Sequence, residues 1–284
     1  MCVTCGCSDN TEAKITNLET EEIQVMTSNG KAHPHYHTHT LPDGTVITHS
    51  HSDHPTEPFH VHAKLHGTTI SLEQDILGKN NLIAAQNRGW FKGRNILALN
   101  LMSSPGAGKT TLLTRTINDL KHQLAISVIE GDQETANDAK KIQETGCKVV
   151  QINTGTGCHL EAAMVERGLQ QLSPPLNSVV MIENVGNLVC PALFDLGENS
   201  KAVILSVTEG EDKPIKYPHM FRASDVMILT KIDLLPYVQF DVQRCIEYAQ
   251  QVNPQIRIFQ VSALTGAGLE NWYGWLLEQV SLNS

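Results

Sequence analysis

The distribution of apolar residues divides the chain into two parts of different character. From about residue 69 onward, short runs rich in Val and Ile alternate with segments of helical periodicity. Apolar runs without polar alternation indicate strands buried on both faces, as in a parallel sheet covered by helices. The runs are ILALNLM, AISVIEG, KVVQIN, SVVMIEN, AVILSVT, VMILTKID and IRIFQVS. This alternation predicts βαβ crossovers and an α/β fold with a doubly wound, mostly parallel sheet.

The segment before the first of these strands has a helical spacing of apolar residues. In SLEQDILGKNNLIAAQNRGW the apolar positions are Leu72, Ile76, Leu77, Leu82 and Ile83. Ser71 and Gln74 suit a capping box, which predicts an amphipathic helix that begins near Ser71. We therefore expect one α/β domain over residues 67–284, with a helix at its N-terminal end.

Residues 1–66 have a different pattern, which is polar and acidic before it becomes rich in histidine. This part holds ten of the 13 histidines, separated by Pro, Thr, Ser, Asp and Gly. They are His33, His35, His37, His39, His49, His51, His54, His60, His62 and His66. Such a tract cannot bury a hydrophobic core, so we expect residues 1–66 to be a metal-binding region that is disordered when metal-free.

Composition narrows the classes of function. The chain has 284 residues, of which 40% are hydrophobic, and a formal net charge of -9, which argues against a nucleic-acid partner. No stretch is long and apolar enough to span a bilayer, and no basic segment followed by an apolar run marks a secretory signal. We expect a cytoplasmic protein, whose seven cysteines serve metal or redox chemistry rather than a disulfide framework.

The motif SSPGAGKTT follows the first strand and opens a helix, which is the context of a P-loop. Backbone N–H groups can hold phosphates there, Lys109 adds a positive charge, and Thr110 offers a hydroxyl to Mg²⁺. Ser103 stands where the pattern has its first glycine, so the turn at that position must accept a Cβ atom. The candidate phosphate-binding residues are Gly106, Ala107, Gly108, Lys109, Thr110 and Thr111.

Two later motifs indicate which base is bound. LTKID has Lys231 and Asp233 in the spacing of guanine-binding GTPases, with Thr230 in place of their usual Asn. The Asp233 carboxylate can accept both hydrogens of the guanine edge, which adenine lacks, and Lys231 can cover the ring. Ser262 and Ala263, in VSALTGAG, resemble the loop whose backbone meets guanine O6. The two motifs in this order favour GTP over ATP.

Two acidic residues follow strands near the P-loop. Asp132 ends the second strand, and Glu183 and Gly186 stand where GTPases often have Asp-x-x-Gly. Ligands gather at the carboxyl ends of the strands in such sheets, so Asp132 is a candidate for the Mg²⁺ shell and Glu183 can reach Mg²⁺ through water. The Gly186 N–H is suited to sense the γ-phosphate. The alternative is that both acids are solvated or helix-capping carboxylates. Lys109, Thr110 and Asp132 are the candidate catalytic residues.

The first candidate metal site is the N-terminal cysteine motif of Cys2, Cys5 and Cys7. Three thiols within six residues can close on one ion, with the α-amine as a fourth ligand. Such a donor set suits Ni²⁺ in square-planar form or Zn²⁺ as a tetrahedron. The histidine tract is a second candidate, as a store or buffer whose binding weakens in mild acid, and no ligand role is assigned to any one of its residues.

The third candidate is a metal triad of Cys158, His159 and Cys190. Cys158 and His159 follow the third strand and Cys190 follows the fourth, so neighbouring strand ends can bring them together. Cys147 and Cys245 are interpreted instead as small buried hydrophobic residues. Because Cys190 lies four residues beyond Gly186, movement of that loop with the nucleotide can change metal affinity.

Taken together, these motifs closely resemble those of the hydrogenase nickel-incorporation GTPases (HypB). The matching stretches are MCVTCGC, SSPGAGKTTLL, EGDQETANDA, TGTGCHLEAAM, IENVGNLVCPA and LTKIDLLPY. The resemblance implies a P-loop GTPase that uses GTP and Mg²⁺ and helps to load nickel into the large subunit of a [NiFe]-hydrogenase. It implies nickel at the N-terminal cysteine motif and a weaker nickel or zinc site at the metal triad. It also implies a homodimer that depends on nucleotide or metal, and a zinc-containing nickel chaperone as partner.

Other functions remain open on the sequence alone. A nickel-delivery GTPase for urease shares the P-loop and switch logic, although the GCHLEAAM and NVGNLVC stretches disfavour it. A nickel or zinc storage protein would rely on the histidine tract, with a secondary nucleotide site. A regulatory GTPase with an incidental N-terminal tail is a third alternative.

Overall fold

The computed structural model describes the greater part of the chain. The described residues are 13–20, 23–26, 36–40, 46–50, 62–133 and 135–283, with side chains from 13–20, 23–24, 75–133 and 135–283. The strands among them are β1 Ala13–Asn17, β2 Ile23–Met26, β3 Tyr36–Thr40, β4 Val46–Ser50, β5 Leu97–Ser103, β6 Ile126–Asp132, β7 Lys148–Asn153, β8 Val179–Glu183, β9 Ser200–Ser206, β10 Val226–Thr230 and β11 Arg257–Gln260. The helices are α1 His62–Gly93, α2 Lys109–Leu120, α3 Asn137–Gln143, α4 Ala162–Leu172, α5 Cys190–Leu193, α6 Lys213–Lys216, α7 Pro218–Arg222, α8 Val242–Val252 and α9 Leu269–Asn283, with a 3-10 helix at Ile232–Tyr237.

Nine of the described strands form one sheet, in the order β11-β10-β9-β5-β8-β6-β7-β1-β2. The seven strands from β11 to β7 pair in parallel, and β1 joins β7 antiparallel. β5 lies between β8 and β9, and β8 also pairs with β6. The carboxyl ends of β5, β8 and β6 are therefore neighbours, which brings the P-loop, Glu183 and Asp132 to one edge.

Both faces of the sheet are covered by helices, as the Val- and Ile-rich strands predict. On one face the buried residues of α2, α3 and α9 pack on the strands, and Trp272 stacks on Trp275 with its indole N–H donated to Thr116. On the other face α1 and α4 cover β6 and β7, while α7 and α8 cover β9 and β10. Each fully buried Leu or Ile contributes roughly 1.5–3 kcal/mol through removal from water. The prediction of a doubly wound, mostly parallel α/β fold is confirmed.

The seven predicted strands are all present, with ends that shift by a few residues. KVVQIN matches β7 along its whole length, whereas VMILTKID is too long because β10 ends at Thr230. Lys231 adopts a left-handed backbone with φ of 58°, which breaks the extended strand and starts the 3-10 helix. No helix among the described residues combines the length and apolar character needed to cross a bilayer.

The N-terminal part departs from expectation. β1 and β2 lie within residues 1–66, where we expected disorder, and they extend the central sheet. Ile15 lies opposite Ile152 and is fully buried, so even this mostly polar segment supplies an apolar residue to the core. A second hairpin pairs β3 with β4. The expected start of the helix near Ser71 is also wrong, because α1 begins at His62 and runs through the expected domain boundary.

Candidate functional site

The P-loop connects β5 to α2 and lines a cavity of about 490 Å³. Gly106 and Gly108 have φ values of 76° and 95°, in the left-handed region that favours glycine. Gly108 is the N-cap of α2, so the unpaired backbone N–H groups of the first helical turn face the loop. An anion in this cavity meets those N–H groups and the positive end of the helix dipole.

Ser103 replaces the first glycine of the motif with a side chain that has a local partner. The ammonium group of Lys109 donates to the Ser103 hydroxyl at 2.8 Å. Ser103 is fully buried and does not have a positive φ, so its Cβ atom fits the turn without strain. Burial lowers the pKa of Lys109 despite the nearby carboxylates. The hydrogen bond to Ser103 holds the end of the Lys109 side chain at the wall of the cavity.

Three residues from β6, β8 and α2 form an oxygen-rich wall of the cavity. The Thr110 hydroxyl donates to Glu183 at 2.7 Å, and Glu183 lies opposite Glu130 in the pairing of β8 with β6. The second carboxylate oxygen of each glutamate is buried and has no hydrogen-bond partner among the described residues. Burial raises the pKa of Glu183 to about 7 and that of Glu130 to about 9. Unsatisfied buried oxygens are costly, and a hard cation such as Mg²⁺ satisfies them.

Asp132 lines the same cavity but has local partners in this structure. Its carboxylate accepts the backbone N–H of Gln133 at 2.8 Å, and both the N–H (3.0 Å) and the hydroxyl (2.6 Å) of Thr135. These bonds fix the start of the loop after β6 and do not cap a helix, because the N-cap of α3 is Ala136 rather than Asp132. Its position at the cavity wall leaves the predicted role in the Mg²⁺ shell as a prediction.

The motif that precedes the 3-10 helix is tied to the P-loop. The Lys231 ammonium donates to the Gly106 carbonyl at 2.7 Å, and the Thr230 hydroxyl donates to the Ala107 carbonyl at 2.6 Å. Lys231 lines the cavity, whereas Ala107 is buried. Thr230 therefore supports the P-loop directly, a contact that its place in the LTKID motif did not predict.

The remaining base-binding candidates form a group of their own. The Ser262 hydroxyl donates to the Asp233 carboxylate at 2.5 Å, and the carbonyl of Ala263 accepts a guanidinium N–H of Arg115 at 3.0 Å. These residues are not part of the cavity lining. The structure thus brings Asp233 and Ser262 together, and Arg115 is a contact that the sequence reading missed.

Gly186 contacts the P-loop from the opposite wall. A Cβ atom at this position would lie 3.1 Å from the backbone and the ring of Pro105, which is closer than most Cβ contacts in proteins. Gly186 also lines the cavity, together with Glu183. The segment after β8 therefore packs closely on the loop that holds the phosphates.

The structure brings the three residues of the metal triad together. One ligand atom from each of Cys158, His159 and Cys190 lies within 4.8 Å of the others. Metal–ligand bonds of about 2.0–2.3 Å place two ligands of one ion roughly 3.5–4.5 Å apart, so the arrangement fits a single ion with little movement. Two sulfur donors and one imidazole suit borderline metals such as Ni²⁺ and Zn²⁺.

His159 is held rigidly inside the protein. Its ring stacks on Phe194 with centroids 3.9 Å apart, and Nδ1 lies 3.6 Å from the Cys158 sulfur. Nε2 is buried and has no hydrogen-bond partner in the part of the chain that the structure describes; it lies 4.0 Å from a carboxylate oxygen of Glu161. Burial lowers the pKa of His159 to about 4, which keeps the imidazole neutral and able to bind a metal.

Two buried interactions join the triad to the nucleotide cavity. The Leu160 side chain packs on Gly131 of β6, where a Cβ atom would lie 2.8 Å from Leu160 Cγ. The Leu160 N–H donates to the Asn184 carboxamide at 3.1 Å, and Asn184 in turn donates to Asn100 of β5 at 3.2 Å. Asn184 directly follows Glu183, so the residue that contacts the loop of Cys158 and His159 is the chain neighbour of a residue of the oxygen-rich wall.

Two residues of these sites, Glu130 and Asn184, are not predicted from the sequence. Glu130 had an available signal, since it lies two positions before Asp132 and strand alternation places both on one face. Asn184 had no such signal, because its partners come from remote segments. Cys147 and Cys245 are buried as expected, and burial raises the pKa of each thiol to about 12. The N-terminal cysteine motif and the side chains of the histidine tract lie outside the described residues.

Comparison with known proteins agrees with this geometry. The family model for the CobW/HypB/UreG nucleotide-binding domain matches residues 97–260. A hydrogenase maturation factor HypB of Cupriavidus necator is 44% identical over 98% of this chain and 88% of its own length. One from Rhizobium leguminosarum bv. viciae is 59% identical over 73% of this chain and 69% of its own.

A solved relative has the same fold. The crystal structure of HypB from Helicobacter pylori in complex with nickel has a TM-score of 0.68 and 38% identity, over 72% of this chain and 96% of that one. The sheet order, the P-loop and both similarities lead to one conclusion. The chain belongs to the HypB family of hydrogenase maturation factors, which are P-loop, GTP-binding proteins.

Proposed function

We propose that this protein hydrolyses GTP to control the binding and release of nickel, which it helps to insert into the large subunit of a [NiFe]-hydrogenase. The observation that carries the proposal is the continuous segment 183–190. It begins at Glu183, bonded to the P-loop Thr110, passes Gly186 against Pro105, and ends at the triad ligand Cys190. A change at the phosphates and a change at the metal therefore involve the same stretch of backbone.

The cavity residues have distinct roles in hydrolysis. Lys109 and the N–H groups at the start of α2 hold the phosphates and stabilise negative charge that develops on them. Thr110, Glu183 and Asp132 are the residues that would hold Mg²⁺. When bound, that ion neutralises phosphate charge. A buried oxygen of Glu183 that lacks a hydrogen-bond partner within the described residues supports this assignment.

Guanine recognition is assigned to Asp233, together with Ser262 and Ala263 of the neighbouring loop. The hydrogen bond from Ser262 orients the Asp233 carboxylate, and the tie of Lys231 to Gly106 links the base loop to the phosphate loop. A substitution tests the base directly. Asp233→Asn should lose affinity for GTP and gain affinity for xanthosine triphosphate, because xanthine presents a carbonyl where guanine presents an amino group.

Nickel is the cargo in this scheme. Three protein ligands leave a coordination position open at the triad, which suits transfer rather than permanent storage. Tighter binding is assigned to the N-terminal cysteine motif, which offers one more thiol, and a buffering role to the histidine tract. The proposed partners are a second copy of the chain, a zinc-containing nickel chaperone and the hydrogenase large subunit, in the cytoplasm.

The decisive experiment complements a strain that lacks the gene. Wild type, Lys109→Ala and a variant without residues 33–66 are expressed at matched levels, and nickel in the purified hydrogenase large subunit is measured with urease activity in parallel. We expect Lys109→Ala to abolish nickel insertion and the deletion to reduce it only when nickel is scarce. Full maturation by Lys109→Ala, with loss on deletion of 33–66, would establish storage as the function. Loss of urease activity alone would establish urease as the target.

A further inference from the structure

Asn187 directly follows the P-loop contact Gly186 and touches both arms of the metal triad. Its carboxamide nitrogen donates to the carbonyl of Cys158 at 3.4 Å. Its carboxamide oxygen accepts the backbone N–H of Val189 at 2.8 Å. Val189 immediately precedes Cys190, so a single side chain connects the backbones of the two thiol-bearing segments.

The other side of this residue is fixed to the nucleotide cavity. Gly186 lies in close contact with Pro105, since a Cβ atom on Gly186 would be 3.1 Å from that residue, and the peptide between residues 186 and 187 is planar. A shift of Gly186 when phosphates are bound or released is therefore passed to the Asn187 backbone. Neither metal ligand needs to touch the nucleotide for this to occur.

The two bonds of Asn187 differ in length, which decides where such a shift acts. The bond to Val189 is of ordinary length, whereas the 3.4 Å bond to Cys158 is near the upper limit for a hydrogen bond. The Cys158 arm is also held independently, by the bond from Thr154 to the Gly157 carbonyl at 2.6 Å. A small movement therefore makes or breaks the contact with Cys158 while Val189 moves with Asn187.

We propose that Asn187 is the positioning residue that couples the nucleotide to the metal triad, by setting the position of Cys190 relative to Cys158. This inference rests on the proposed function and specifies how its two sites communicate. When the contact with Cys158 is made, the two arms are held together and nickel binds more tightly. When it is broken, Cys190 moves with its loop and nickel affinity falls.

The test measures nickel affinity at the triad in two nucleotide states. All proteins are full length with Cys2, Cys5 and Cys7 changed to Ser, so that the thiolate-to-nickel absorption band reports the triad. Nickel is titrated with GDP and with a non-hydrolysable GTP analogue, for the background protein, Asn187→Ala and Asn187→Asp. The aspartate keeps the acceptor for Val189 and loses the donor to Cys158.

We expect the background protein to show at least about a fivefold difference in nickel affinity between the two states, at the lower end of typical coupling. Both variants should reduce the ratio to less than about twofold, and nickel should then change the affinity for the GTP analogue by the same reduced factor. Their affinity for GDP without metal should match the background, a result that general loosening of the site does not give.

Asn253→Ala is the matched control. Asn253 also joins separate backbone segments through its carboxamide, with bonds to the Phe221 and Ser224 carbonyls at 3.1 and 2.8 Å, and its loss should leave the ratio intact. An unchanged ratio in both Asn187 variants overturns the inference and leaves the proposed function standing. A background protein without any nucleotide dependence overturns the coupling in the proposed function as well. If Asn187→Ala fails to fold, the aspartate variant decides alone.

Discussion

The nucleotide cavity and the metal triad share the segment 183–190, yet they are built in different ways. The cavity draws its residues from the ends of β5, β6 and β8 and from the start of α2, whose relative positions are set by strand register. The triad consists of two adjacent residues on a loop and one cysteine at the start of the four-residue helix α5. Side-chain hydrogen bonds, rather than a sheet, hold its two arms together.

This difference makes the cavity the more rigid of the two sites and the triad the more adjustable. A site framed by hydrogen-bonded strands keeps its shape whether or not a ligand is present. A site joined by a few side-chain bonds can change its ligand spacing at small cost, since each such bond contributes only about 0.5–1.5 kcal/mol. The cavity is thus suited to binding a fixed chemical group, and the triad to holding a metal in one state and releasing it in another.

The largest effect should come from the cavity. Lys109→Ala removes the cation that Ser103 positions, and GTP hydrolysis should fall by at least about 100-fold, as for other preorganised charge-stabilising groups. Phosphate release under single-turnover conditions measures it. Lys121→Ala, at the exposed C-terminal end of α2, is the control and should retain full activity. Hydrolysis by Lys109→Ala within tenfold of wild type would show that the cavity is not the catalytic centre.

Removal of one triad ligand should give the next largest effect and leave the cavity intact. Cys190→Ser replaces a thiolate with a hydroxyl that stays protonated, and nickel affinity at the triad should fall by about 100-fold or more. GTP affinity in the metal-free protein should stay within about twofold. Cys147→Ser alters a buried thiol whose sulfur hydrogen-bonds the Ile126 carbonyl, and serves as the control. Equal losses in both variants would mean that the triad is not the site measured.

A pH experiment tests the protonation of the buried Glu130 carboxyl group in the cavity. The pKa of Glu130 is raised from 4.5 to about 9 by burial, so the folded protein without Mg²⁺ holds a proton that the unfolded chain releases above about pH 4.5. Stability therefore falls as pH rises through this window. Glu130→Gln should raise Tm by ~2–4 °C at pH 8.5, which corresponds to roughly 1 kcal/mol, and change it little at pH 5.

Thermal unfolding at the two pH values tests this expectation. Glu270→Gln, at an exposed position in α9, is the matched control for the loss of a carboxylate outside the cavity, and it should change Tm only slightly at either pH. A Tm difference for Glu130→Gln that is the same at pH 5 and pH 8.5 would mean that the carboxyl group of Glu130 is already ionised in the folded protein.

The smallest effect should come from the ring that supports His159. Phe194→Leu keeps an apolar contact but removes a ring stacked at 3.9 Å, and aromatic pairs contribute about 0.5–1.5 kcal/mol beyond burial. Nickel affinity at the triad should fall by about two- to fivefold, as measured by the same titration. Phe259→Leu loses a comparable aromatic contact with Trp272 and should leave nickel affinity unchanged. Unchanged affinity in Phe194→Leu would show that the stacking does not position the imidazole.

The sequence predicts those parts of the molecule whose structure follows from the pattern of residues within one short stretch. The seven parallel strands and the P-loop were identified because apolar runs and glycine spacing are local features. The triad was also identified, since Cys158 and Cys190 follow consecutive predicted strands. The four described strands before α1 were missed, because a mostly polar sequence forms a strand only through its pairing, as β1 does with β7. The start of α1 was also missed, since the apolar spacing that predicts the helix begins only near Leu72.

The contacts between the two sites could not be predicted in this way. Asn100, Asn184 and Asn187 make hydrogen bonds to residues 84, 24 and 29 positions away in the sequence. No local pattern around an asparagine indicates which distant residue it will contact. The hydrogen bonds that the Asp132 carboxylate accepts likewise depend on the turn that the loop after β6 adopts. Such features follow from the closed fold rather than from periodicity.

The antiparallel strand β1 has a consequence for the cysteines at the start of the chain. Lys14 pairs with Asn153, so the N-terminal end of β1 lies at the edge where β7 enters the Cys158 loop. Cys7 is six residues before Ala13, and covalent connection alone keeps it within roughly 20 Å of that edge. Groups on so short a tether meet at effective concentrations on the order of millimolar. If both proposed sites bind nickel, transfer of an ion between the first cysteines and the triad would be an intramolecular process, with a rate independent of protein concentration.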